Sequence, residues 1–274
     1  KQENRAVYLL ESLSLTSSTT LTGGARLEWF HIDASDIFDA TAPNPTFING
    51  GSPSGEQNER QYAWELGLRQ ALSEQWSAFT RATRAYRFAT VDETYESSTL
   101  FQQEFQFLQP QTSLTYEVGV DWRGSSTDAR AAVFRTDVKN EIHLDAFTSG
   151  VGNTNLPPSR RRGVELELGV QPAERVDVRL TYTYTDARFL EGDFPGGPFS
   201  ITNVNIAGKT VPLVPRHKAP LNANWGITPQ TYLSGAVVYV SDQFMDNDEA
   251  NDLGVKIPAY TVVDLKLSHQ IAAA

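Results

Sequence analysis

The chain has 274 residues, 40% of them hydrophobic and 11% aromatic, and a formal net charge of −10. No cysteine is present, which excludes a disulfide scaffold, a thiolate zinc site and a cysteine nucleophile. The acidic balance argues against nucleic acid as a partner, since phosphates need a basic surface.

No uncharged apolar stretch approaches the roughly 18 residues that a spanning helix needs. Residues 1–5 lead into a strand-like alternation rather than an apolar signal region, so the chain reads as a mature or internal segment.

The dominant period is two. Leu114, Tyr116, Val118, Val120 and Trp122 alternate with Thr115, Glu117, Gly119, Asp121 and Arg123. Val176, Val178, Leu180, Tyr182 and Tyr184 alternate with Asp177, Arg179, Thr181, Thr183 and Thr185. Such alternation is the signature of a strand with one apolar and one polar face. About eleven strands follow, near residues 4–15, 19–36, 60–72, 76–90, 113–123, 128–146, 161–171, 175–190, 216–227, 230–244 and 257–269.

The connections alternate between short polar turns and long Gly/Pro-rich segments at residues 37–59, 91–112, 147–160, 191–215 and 245–256. Long strands, aromatic residues toward strand ends and this short–long rhythm match a transmembrane barrel better than a soluble sandwich. An antiparallel up-and-down transmembrane β-barrel is the fold class expected, with neighbouring strands paired in sequence order and no helix beyond two turns. Val164, Leu166, Leu168, Val176, Val178, Leu180 and Tyr182 should face lipid. Glu165, Glu167, Arg175, Asp177 and Arg179 should face the lumen. By parity, all long connections should lie at one end of the sheet.

The run PQTSLTYEVG from Pro110 resembles a segment of TonB-dependent outer-membrane receptors. RRGVELE from Arg161, YTYTDA from Tyr182, PLVPRHK from Pro212 and KIPAYTVVDLKLS from Lys256 resemble further strings of that family, in its order. The resemblance is clear from Pro110 onward. It implies a 22-stranded barrel in the outer membrane of a Gram-negative bacterium, filled by an N-terminal plug.

About eleven strands cannot close such a barrel. Residues 1–274 therefore read as a partial barrel domain, the C-terminal half without its last two strands, with the plug outside this chain. Two open edges would not be tolerated in lipid.

The implied function is active import of a scarce ligand, most commonly a ferric siderophore in that family. The TonB–ExbB–ExbD energy-coupling system would act through the absent plug, and the barrel would meet bilayer and lipopolysaccharide. Alternatives are a passive porin or substrate-specific channel, a barrel enzyme and a soluble β-sandwich binding module.

Catalysis finds no constellation. His31, His143, His217 and His269 do not pair at metal-binding spacing, and Gly208-Lys209-Thr210 lacks the upstream glycine of a phosphate loop. The expectation is a non-enzyme without a cofactor. Ligand-binding candidates are Arg160, Arg161 and Arg162, as a lumen or rim site for an anionic ligand or the plug. Strand-entry charge paired with acids is the competing reading. The loop aromatics Tyr95, Phe101, Phe194 and Phe199 either grip a ligand or pack the loops together. No metal site is expected. Asp246, Asp248 and Asp252 are weak cation candidates in a loop that departs from the calcium pattern at Ala250 and Asn251.

Overall fold

The computed structural model describes residues 1–35, 54–96, 104–143, 153–195 and 202–271. Eleven strands form one antiparallel sheet: β1 (Gln2–Ser14), β2 (Thr19–Ser35), β3 (Ser54–Ala71), β4 (Trp76–Arg87), β5 (Gln111–Arg123), β6 (Thr127–Lys139), β7 (Ser159–Ala173), β8 (Val176–Phe189), β9 (His217–Gly226), β10 (Thr231–Val240) and β11 (Tyr260–His269). The order in the sheet is the order in sequence, every pairing is antiparallel, and β1 and β11 are the two edges. A single layer of this kind is not a sandwich, so that alternative fails. The one helix among the described residues, α1, is the four-residue turn Val91–Thr94.

Register fixes the faces. Val164, Leu166 and Leu168 stand opposite Tyr184, Tyr182 and Leu180, while Glu165 and Glu167 stand opposite Thr183 and Thr181. The exposure pattern is inverted relative to a water-soluble protein. Glu117 is 5% exposed, whereas its neighbour Val118 is 56% exposed. Leu66, Tyr116, Val133, Leu166 and Leu265 are exposed on the apolar face as well. Ala132, Ser159, Ala187 and Phe189 are buried on the other. A sheet that shelters its polar face and presents its apolar face is stable only where the surroundings are apolar.

Two glycines shape the sheltered face. Phe79 lies directly opposite Gly119, and Phe134 directly opposite Gly163. A Cβ at Gly119 would come within 2.5 Å of the Phe79 ring. One at Gly163 would collide with the carbonyl oxygen of Tyr184 and approach Phe134 at 2.9 Å. Each aromatic ring thus fills the space that the glycine leaves, which favours local twist. Gly163→Ala should destabilise the barrel by about 1–3 kcal/mol, the usual penalty of overpacking. Its urea midpoint should fall, and an unchanged midpoint would contradict this packing.

Several strand bounds differ from the sequence expectation. β3 begins at Ser54 rather than near residue 60, because the polar run Ser54–Glu59 continues the ladder opposite β2. β6 stops at Lys139 rather than near residue 146, because Asn140 takes a left-handed conformation with φ of 54°. Glu141–His143 then pairs with Thr154–Leu156 in a hairpin of its own. β10 stops at Val240, and Gln243–Phe244 pairs with Lys256–Ile257. Among the described residues, the long connections after β4, β6, β8 and β10 are therefore not structureless. They carry small hairpins, including Asp193–Pro195 with Asn203–Asn205.

The short turns after β1, β3, β5, β7 and β9 lie at one end of the sheet, and the long connections at the other. The buried apolar clusters sit at the long-connection end. Leu156, Ala187, Phe189, Phe194, Ile206 and Val211 form one. Phe30, Ile32 and Ala34 form another with Phe88, Phe105 and Phe107.

Candidate functional site

Two arrangements could meet a ligand: a charged ladder on the sheltered face and a stitched layer of connections above it. The ladder crosses β3 to β6. Glu117 on β5 accepts from Arg81 Nη2 of β4 at 2.7 Å and from Arg130 Nη2 of β6 at 2.7 Å. Asp121, four residues further along β5 on the same face, meets Arg69 of β3 at 2.6 Å. The Phe79 ring lies between Arg130, 4.1 Å from its centroid, and Arg69, 5.6 Å away. Three guanidinium groups over two carboxylates make a hydrophilic, weakly cationic wall. Alternation placed Glu117 and Asp121 on the polar face of their strand, but their pairing with Arg69, Arg81 and Arg130 depends on strand register and is not visible in the sequence.

The layer of connections is held together by asparagine side chains that read backbone. Asn155 accepts from the Gln109 amide N at 2.8 Å and donates to the Gln109 carbonyl at 2.9 Å. Asn251 does the same with Thr210, at 2.6 Å and 2.9 Å. Asn153 Nδ2 donates to the carbonyls of Asp92 and Tyr95, each at 3.3 Å. A primary amide offers a donor and an acceptor side by side, so it joins two loops as a strand would. His143 meets Glu249 at 3.7 Å and sets its ring edge-on to Phe194, linking three connections.

The sequence candidates are distributed as follows. Arg160, Arg161 and Arg162 do not form one site. Arg161 shares the sheltered face with Glu141, to which Nη2 donates at 2.6 Å and 2.8 Å. Arg160 and Arg162 share the apolar face with Val164, because alternate residues point alike. Phe194 is buried in the loop cluster, where it packs the layer. Tyr95 packs on Phe105 with ring centroids 5.4 Å apart. Phe101 and Phe199 lie outside the described residues.

Asp246, Asp248 and Asp252 are not gathered as a ligand set. Among the described residues no three His, Cys, Asp or Glu side chains converge on one point. Asp248 instead folds its own loop: Oδ1 accepts from the amides of Asp252 at 2.8 Å and Leu253 at 3.3 Å. Oδ2 is buried without a hydrogen-bond partner among the described residues. Burial pushes this carboxyl above the ordinary aspartate range, against the opposing pull of those two amides.

A raised native pKa means that the charged form strains the loop at neutral pH, and the strain vanishes once acid protonates the group. Asp248→Asn keeps the amide acceptor and removes the buried charge. It should slow amide hydrogen exchange in residues 247–253 at pH 7 and make no difference well below the carboxylate range. Faster exchange in the variant would show instead that the carboxylate is needed in its charged form.

The TonB dependent receptor-like β-barrel family model matches residues 1–273. The probable TonB-dependent siderophore receptor PiuA of Acinetobacter baumannii is 25% identical over 274 residues, covering 98% of this chain and 35% of that protein. The ferrichrome outer membrane transporter/phage receptor of Escherichia coli K12 is 24% identical over 280 residues, covering 99% of this chain and 32% of its own length. This chain thus spans about a third of those relatives.

Among solved structures, the ferric yersiniabactin uptake receptor FyuA of Yersinia pestis superposes with a TM-score of 0.71 at 20% identity, over 98% of this chain and 38% of that one. The PiuA structure gives 0.71 at 19% identity, over 99% and 37%. Together with the single antiparallel sheet and its inverted faces, the match along nearly the whole chain establishes that this protein belongs to the TonB-dependent receptor β-barrel family.

Proposed function

We propose that the protein is an outer-membrane import receptor for a ferric siderophore, driven by TonB-coupled energy. The observation that carries this reading is the match of nearly the whole chain to siderophore receptors such as PiuA. The geometry agrees with it. The charged ladder from Arg69 to Arg130 gives the lumen a hydrophilic wall, and the stitched connections offer a shaped rim for capture.

In this reading the open sheet is one part of a closed barrel. Strands beyond β1 and β11 complete it, and a plug domain outside residues 1–274 receives TonB and its partner proteins. The receptor performs no chemistry on its ligand. A passive channel would share the wall and the alternation, but the family match favours active import.

The test is uptake. A strain lacking the whole gene, starved of iron, should lose accumulation of radiolabelled iron from one or more defined ferric siderophores. Removal of TonB should have the same effect. Uptake that persists without TonB would favour the passive channel. Uptake unchanged without the gene, across hydroxamate, catecholate and carboxylate chelates, would refute a siderophore as ligand.

A further inference from the structure

The outer face of β5–β8 changes character along one register line. Val118, Val133, Val164 and Tyr184 lie side by side on that face. The next rung toward the long connections holds Tyr116, Arg135, Arg162 and Asp186, and the one beyond it Leu114, Asp137, Arg160 and Arg188.

Four arginines share two aspartates here. Asp137 accepts from Arg135 at 2.8 Å and from Arg160 at 2.5 Å. Asp186 accepts from Arg188 at 2.9 Å and from Arg162 at 3.2 Å. The aspartates are the sheltered members. The Asp186 side chain is 13% exposed, against 69% for Arg162 and 50% for Arg135. The patch therefore keeps two unneutralised positive charges at its surface, in a chain whose net charge is −10. It lies on the face opposite the lumen and cannot line an import path.

We propose that this patch docks the phosphate-bearing headgroup of an outer-leaflet lipid. The inference rests on the outer-membrane reading above and specifies a partner for it. The patch sits directly above the apolar band on the side that meets lipid, at the level of headgroups. A guanidinium retains free N–H donors after it binds a carboxylate, and its fork matches phosphate oxygens. The four groups span three strands and two rungs, roughly 10 by 7 Å, an area suited to a headgroup with two phosphates. Asp137 and Asp186 hold the arginines in place, so their side chains lose little further freedom on binding.

The test uses the full-length receptor in detergent micelles, with lipid A bearing both phosphates and the same lipid after enzymatic dephosphorylation. The native receptor should bind the phosphorylated lipid about tenfold more tightly or better, the factor that one charge-assisted hydrogen bond supplies. A variant with Arg160→Gln, Arg162→Gln and Arg188→Gln should lose most of that preference. Arg179→Gln, an exposed arginine on the lumen face, should keep it. Heat-modifiable migration on gels checks that each barrel is folded.

If the triple variant does not fold, the native comparison still decides, because equal binding of both lipids overturns the proposal. A preference that survives the triple substitution overturns it too, as does displacement of the lipid by an equal concentration of inorganic phosphate. A receptor found outside the outer-membrane fraction would refute the membrane reading itself. One found there without phosphate preference would refute only this site.

Discussion

Removing residues 191–211 from the full-length receptor should abolish ligand binding and iron uptake, yet leave barrel insertion intact. The segment supplies Phe194, Ile206 and Val211 to the loop cluster, half of its buried members. It also supplies Thr210, through which the Asn251 amide holds the last long connection. Without it, Phe189 and Leu156 lose their cover, and His143 loses the ring it packs against. The strands keep every ladder bond from β1 to β11, and shortening a connection changes loop-closure entropy only slightly. Phe194→Ala should do less, loosening the layer and weakening ligand affinity while some uptake remains. Unchanged affinity after the deletion would exclude this connection from ligand capture. Failure to insert would mean that the connection layer belongs to the scaffold.

A charge on the apolar face should have an effect of similar size on the barrel itself. Leu166 lies mid-strand between Ala131 and Tyr182, with Val164 and Leu168 as its neighbours on that face. Leu166→Arg should destabilise the barrel by about 2–4 kcal/mol, the range for a cation near the bilayer midplane. Thr181 is one rung away on the opposite face, across from Glu167. An arginine there meets water and a carboxylate, so Thr181→Arg should change stability by under about 1 kcal/mol. Denaturant unfolding of both variants in lipid vesicles measures the contrast. Equal losses would show that the two faces do not see different solvents.

The sheet was legible because its physics is periodic. Along β8 the order Val176, Val178, Leu180, Tyr182, Tyr184 states which side of each residue meets which medium, and one face alone sets the register class. The lateral pairings were not legible. Glu117 meets Arg81 and Arg130 only because three strands align in one stagger, which depends on turn geometry.

The connection layer was opaque for a different reason. Hairpins of two or three residues, such as Asp193–Pro195 with Asn203–Asn205, are too short to show a period. The asparagines that stitch the layer look like ordinary loop residues in the sequence. The arginine triplet was legible in part. Arg160 and Arg162 have the parity of Val164 and Leu166, so their outward direction follows from alternation. The feature that hid it was their charge, which suggests a lumen position until the apolar band is seen to end at Val164.

The central claim is that neighbouring residues of one strand face lipid and water in turn. Nitroxide labels at position 166 and at position 167 of the full-length receptor, reconstituted into bilayers, test it directly. Collision rates with oxygen, which concentrates in lipid, and with a water-soluble nickel chelate separate the two media. The label replacing Leu166 should collide with oxygen and be shielded from nickel, and the label replacing Glu167 should show the reverse. The same accessibility at both positions would contradict the assignment of faces and, with it, the barrel.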